Sequence, residues 1–236
     1  MAELSITTER VQLPVQGSTP MPAYVARPDS GTYPGLMVFQ EAFGVNAHIR
    51  DVTERFAREG YVAIAPELYH RTAPPGFEAR YSDFASLRPH IAAVTTEAAE
   101  ADVRAAYEWL RSNPHVKPSD LSCVGFCMGG RVSFVANSVL PLRAAVSFYG
   151  GGIAPDLLDR AAKQQAPILL FWGGLDKHIT PEKRRAVADA LTAARKRFVQ
   201  VEFSDADHGF FCDQRPAYEP RSAREAWALT LEFLRP

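Results

Sequence analysis

Short, nearly continuous apolar runs alternate along this chain with longer stretches whose apolar positions recur at helical spacing. The runs fall at 35–40, 61–65, 121–125, 144–148, 167–172 and 198–203. Runs of this length, apolar at almost every position, predict strands buried on both faces of a parallel sheet. The intervening stretches predict helices over 48–59, 95–112, 129–139, 181–195 and 221–234. The helix starting at Pro181 carries its own start signals: Thr180 as N-cap, proline at the first position and Glu182 in the first turn. Strands alternating with helices imply right-handed crossovers and an open, doubly wound α/β sheet. Two further extended segments, 5–14 and 21–27, predict an antiparallel hairpin at one edge. No repeat, low-complexity tract or linker interrupts the pattern, so a single domain over 1–236 is expected.

The stretch 66–94, PELYHRTAPPGFEARYSDFASLRPHIAAV, fits neither period. A long irregular segment in an α/β domain is commonly functional. This one leaves the carboxyl end of a predicted strand, where such sheets bind ligands.

Composition narrows the function classes. The 236 residues are 47% hydrophobic and 22% charged, the balance of an ordinary globular protein. Lys and Arg number 26 against 27 Asp and Glu. A formal charge of -1 gives no reason to expect nucleic acid or an anionic membrane as partner. The start, MAELSITTERVQL, lacks the apolar core of a signal peptide, and no run reaches the ~18 residues of a membrane span. With three cysteines, an odd count, a cytoplasmic chain with reduced thiols is expected, as a monomer or small homo-oligomer. The six histidines and three cysteines form no cluster of metal-ligand spacing, so neither metal nor cofactor is expected.

The chemistry concentrates at Gly125-Phe126-Cys127-Met128-Gly129-Gly130, between an apolar strand and a predicted helix. Gly-x-Nuc-x-Gly in that context is a nucleophile elbow. It holds the central side chain on a sharp turn at the helix start, where the N–H groups and the positive helix end favour a thiolate and a later oxyanion. Cys123, inside the strand, reads as packing. A nucleophile needs a base and a group to orient it. Asp176 lies in the loop after the run 167–172, and His208 in the loop after 198–203. The order Cys127, Asp176, His208 is that of an α/β-hydrolase triad, with all three at carboxyl ends of predicted parallel strands. His178 is a weaker base, and Asp205 and Asp207 are competing acids too close to His208 in sequence for easy triad geometry. The oxyanion donors are expected from the N–H groups of Met128 and of Ala42, in the loop after 35–40. Glu41 would then stand beside the site.

At this point the chain resembles the dienelactone hydrolase family. The resemblance rests on Gln40-Glu41-x-Phe43-Gly44-Val45-Asn46, Pro66-Glu67-Leu68-Tyr69, the Cys127 elbow, Phe148-Tyr149-Gly150, Gly173-Gly174-x-Asp176 and His208-Gly209-Phe210. It implies an α/β-hydrolase fold without a large cap and a Cys127–His208–Asp176 triad. It also implies Glu41 as a switch that contacts the resting thiol, and Phe43 and Tyr149 lining the substrate site. The implied reaction is hydrolysis of a small lactone or ester through a thioester, of the kind that opens dienelactone to maleylacetate in aromatic degradation. In one place the chain departs from the family. The arginine four residues after the family's histidine is Cys212 here. A second family arginine matches Arg80 best, with Tyr81 beside it; Arg71, Arg88 and Arg215 remain open as carboxylate contacts. Two other classes stay in view, a thiol redox or sensing protein using Cys127 and Cys212 and a noncatalytic ligand-binding relative; a chromogenic ester assay separates them.

Overall fold

The computed structural model describes residues 4–235, so the ends of the expected 1–236 domain lie outside it. It is an α/β fold built on an eight-stranded, mostly parallel sheet whose strands, in spatial order, span 6–13, 21–28, 62–66, 33–39, 116–126, 144–148, 168–173 and 198–203. The contacts of the described residues gather into two compact units that part between Cys123 and Val124.

The first unit opens with the predicted hairpin, β1 (Ile6–Leu13) and β2 (Met21–Pro28), paired antiparallel. β1 is largely exposed, as an edge strand must be, whereas β2 is buried and pairs antiparallel with β4 (Val62–Pro66). β3 (Tyr33–Phe39) runs parallel to β4, and both are buried on both faces, which is why they read as unbroken apolar runs. α1 (Ala47–Arg58) is capped by Asn46, whose side chain accepts from the Ile49 N–H. It buries Ile49, Val52 and Phe56 completely. Each such side chain contributes roughly 1.5–3 kcal/mol by leaving water. α3 (Thr96–Ser112) packs against β3 and β4 in the same way.

Within 66–94 the structure contains a helix that the pattern does not announce, α2 (Phe84–Ala93). Only Leu87 of it is buried and Pro89 lies inside it, so no apolar stripe marks it in the sequence. The segment before it is fastened by polar contacts: Arg71 grips the fully buried Asp102 of α3 through two bonds of 2.8 and 2.7 Å, and His70 adds a third at 3.1 Å.

β5 (Val116–Phe126) begins in the first unit and ends in the second; it contains the predicted run 121–125 and starts five residues earlier, where Lys117-Pro118-Ser119-Asp120 is polar. The second unit then runs α4 (Met128–Val139), β6 (Ala144–Phe148), β7 (Ile168–Gly173), α5 (Pro181–Ala193), β8 (Phe198–Phe203) and α6 (Pro220–Leu234). A short 3-10 helix, Leu158–Lys163, follows β6. β6, β7 and β8 pair parallel in register. Thr180 takes the N-cap position of α5 with proline next, but its side chain caps no N–H; its hydroxyl bonds the Glu182 carboxylate instead. Phe126, Phe148, Phe171 and Phe211 pack as an aromatic block at the ends of β5, β6 and β7, with centroids 4.5–5.2 Å apart. Such ring pairs add about 0.5–1.5 kcal/mol each beyond the area they bury.

Candidate active site

The predicted elbow is a real discontinuity in the backbone. Cys127 has φ 55° and ψ -115°, a conformation that L-residues rarely adopt, between the last residue of β5 and the first of α4. The turn is held because the Cys127 N–H donates to the Phe148 carbonyl at 3.0 Å and the Cys127 carbonyl accepts from Gly130 N at 2.9 Å. Its glycines answer to space. A Cβ at position 125 would meet the Gly129 carbonyl oxygen at 2.0 Å, and one at 130 would meet the Phe148 oxygen at 2.6 Å. The elbow can form only where strand, helix and β6 come that close. Met128 is the first residue of α4, in the turn whose N–H groups point out of the helix start.

Cys127, His208 and Asp176 come together in one hydrogen-bonded chain. His208 Nε2 lies 3.1 Å from Cys127 Sγ, and its Nδ1 lies 2.7 Å from Asp176 Oδ2. The other carboxylate oxygen, Oδ1, accepts from the N–H groups of His178 at 2.7 Å and Ile179 at 3.1 Å. Asp176 is 4% exposed, so this full set of partners is what lets a carboxylate sit there. Burial alone would raise its pKa; the His208 bond and charge together with the two amides outweigh that and hold it below the usual value. Burial pulls His208 down in turn. The facing Cys127 charge and the bonds to Asp176 and Cys127 win, and its pKa is pushed up to about 10. A positively charged imidazole is thus favoured between the Cys127 sulfur and the Asp176 carboxylate.

The neighbours sort themselves by what they touch. Asp207 accepts from the His208 N–H at 2.6 Å and Asp205 faces Ser222, so neither reaches the imidazole's Nδ1 in place of Asp176. His178 is exposed, its ring edge-on to His208 at 5.6 Å. Tyr149, fully buried at φ 38°, lays its ring 5.1 Å from the imidazole. Cys212 is buried, and the Arg215 guanidinium folds back over Gly209, next to His208; a Cβ on Gly209 would meet Arg215 Nη1 at 2.1 Å. All three cysteines are free thiols, and only Cys127 is partly exposed.

The other predicted residues belong to the first unit. Glu41, Ala42 and Phe43 are buried in the loop after β3. The Glu41 carbonyl accepts from Gln40 Nε2 at 3.3 Å, the Ala42 carbonyl from the Tyr69 hydroxyl at 2.9 Å, and the Phe43 carbonyl from the Ala79 N–H at 3.1 Å. Tyr81 meets Phe43 edge to face at 4.6 Å and its hydroxyl accepts from Asn46 Nδ2 at 2.9 Å. Arg80 and Arg88 are exposed, whereas Arg71 is committed to Asp102. Sequence reasoning missed the amides that anchor Asp176. Their signal was present as an Asx turn, an aspartate two and three residues ahead of the N–H groups it receives.

The model of the dienelactone hydrolase family matches residues 21–236. The chain belongs to this family. The dienelactone hydrolase fold is shared with a solved structure described as a "Putative Dienelactone Hydrolase" from Klebsiella pneumoniae subsp. pneumoniae MGH 78578, at TM-score 0.89 and 34% identity over 98% of both chains. A protein of Synechocystis sp. (strain ATCC 27184 / PCC 6803 / Kazusa) named "Putative carboxymethylenebutenolidase" is 38% identical over 95% of this chain and 94% of its own length. The carboxymethylenebutenolidase of Pseudomonas sp. (strain P51) is 29% identical over 97% and 95%. Membership makes the chain a hydrolase of the ester and lactone class. Among the described residues no helix is long and apolar enough to cross a membrane.

Proposed function

We propose that this dienelactone hydrolase relative opens a small lactone or ester by acyl transfer to Cys127, with His208 as the proton carrier and Asp176 as its orienting acid. The observation that supports it most is the unbroken chain Sγ, Nε2, Nδ1, Oδ2 at 3.1 and 2.7 Å, standing on a strained elbow. The Cys127 thiolate adds to the carbonyl carbon and the carbonyl electrons pass to oxygen, an oxyanion that the Met128 N–H meets at the helix start. Collapse breaks the acyl C–O bond. The leaving enolate or alkoxide takes the Nε2 proton of His208. Neutral His208 then accepts a proton from water as its oxygen adds to the thioester, and the second collapse releases the acid and the thiolate. The imidazolium is left as it began. A good leaving group such as an enolate suits a thiolate, which favours lactones of the dienelactone type over amides.

The test is to mix enzyme with a p-nitrophenyl ester, quench within the first turnovers and map the mass. The acyl group is expected on the peptide carrying Cys127, removable by neutral hydroxylamine and missing from Cys127→Ala. Steady turnover with the label on a serine or on Cys212 would overturn the reading.

A substrate carboxylate is assigned here to Arg215, whose guanidinium folds over Gly209, the residue after His208; the predicted Arg80 is exposed in the first unit. A lost charge-assisted contact costs about 1.5–3 kcal/mol, or roughly 10- to 150-fold in kcat/KM. Arg215→Met is therefore expected to erase that much preference for a carboxylated lactone over its methyl ester, with the methyl ester's own rate kept. If Arg80→Met alone did so, the contact would belong to Arg80.

A further inference from the structure

Arg184, in the first turn of α5, is 5% exposed although it is charged. A cation there opposes the positive end of the helix dipole. Its Nε is buried with no hydrogen-bond partner among the described residues. A buried guanidinium that is neither well satisfied nor well placed for its helix calls for an explanation.

The explanation lies in what its other nitrogens hold. Nη1 donates to the carbonyl of Gly173 at 2.7 Å, and Nη2 lies 3.2 Å from Glu202 Oε1. Gly173 ends β7, and its carbonyl also accepts from the Asp176 N–H at 3.3 Å, closing the turn that presents the acid. Glu202 is in β8, whose end leads into the loop of His208. The two loops meet backbone on backbone. A Cβ on Gly173 would strike the Ala206 oxygen at 2.6 Å, one on Gly174 the Ser204 Cα at 2.7 Å, and Gly174 N and Leu175 N donate to Phe203 and Ala206 at 2.7 and 2.9 Å. One guanidinium therefore grips both loops at their roots.

We infer that Arg184 is a positioning residue that sets the spacing between Asp176 and His208, an inference that rests on the proposed triad. Its bonds go to the Gly173 carbonyl and to Glu202, not to the Asp176 carboxylate or the His208 imidazole. The charge state of Asp176 is governed by burial, His208 and the two amides, so the effect of Arg184 runs through the turn it closes.

The test compares kcat, KM, the pH profile and the melting temperature for Arg184→Met, Arg184→Lys and Glu202→Ala. Small misplacements remote from the reacting atoms cost up to about 10²-fold. Arg184→Met is expected to lower kcat roughly 10- to 100-fold with KM held within about twofold. His208 faces Cys127, Asp176, His178 and Tyr149, and its backbone N–H donates to Asp207. A loosened Asp176 contact frees the imidazolium proton sooner, so the alkaline limb of kcat/KM should move to lower pH. Arg184→Lys, which can still reach the Gly173 oxygen, should recover part of the loss. Glu202→Ala frees only the half-exposed β8 end, and it should show the same limb shift in smaller measure even if Arg184→Met does not fold. A loss that only follows the folded fraction, with the limb in place, would overturn the inference, as would unchanged kcat in folded Arg184→Met. Hydrolysis surviving in Cys127→Ala would instead bring down the triad itself.

Discussion

Cys127→Ala is expected to lose hydrolysis by on the order of 10⁴- to 10⁶-fold, the range for removing a nucleophile while oxyanion donors and binding remain. The protein should stay folded, because the thiol's hydrogen bond is to His208 and the site is partly open to water. Cys127→Gly separates chemistry from architecture more sharply. At φ 55° and ψ -115° any side chain is strained, by about 1–3 kcal/mol, and glycine is not. The glycine variant should be as dead as the alanine variant yet melt higher than it. Denaturant midpoints beside a chromogenic ester assay check both halves. A glycine variant no more stable than alanine would mean that the elbow relaxes when its thiol goes.

The second large effect belongs to Asp176→Asn. Because Oδ1 is fixed by the N–H groups of His178 and Ile179, an asparagine must keep its oxygen there and turn its NH₂ toward His208. Nδ1 then becomes an acceptor, the ring proton moves to Nε2, and neutral His208 no longer takes a proton from the thiol. A loss of roughly 10³- to 10⁴-fold in kcat is expected from this wrong tautomer. The fold should be little changed, since shape and both amide bonds survive. Asp176→Ala, which leaves those buried amides without an acceptor, should cost stability as well, about 1–3 kcal/mol. Turnover within tenfold of wild type in Asp176→Asn would show that another group orients His208.

The parts of this molecule that could be read in advance are those whose cause is local. The elbow showed because Gly125 and Gly130 sit where no Cβ fits, a constraint that writes itself into adjacent positions. Asp176 and His208 showed because parallel strands end at one side, so the residues that follow them converge. Other features have causes distant in sequence. Arg184 looks like any cation on a helix with Lys183 and Arg185 beside it; only folding brings it to Gly173 and Glu202. Arg71 passed as a candidate for substrate because its partner Asp102 is 31 residues on. α2 stayed hidden since a helix that buries little leaves no apolar period, and the head of β5 because polar residues and Pro118 masked its extension.

The stacking of Gly173 and Gly174 on Ser204 and Ala206 also decides how this enzyme fails. With amides of one loop bonded to carbonyls of the other, neither can detach without breaking its neighbour's contacts. Asp176 and His208 are then displaced in one cooperative opening, so a half-inactivated sample is expected to be a mixture of intact and dead molecules. Its specific activity falls while its Michaelis constant stays native, and the amides of Gly174 and Leu175 exchange with solvent deuterium at one common rate.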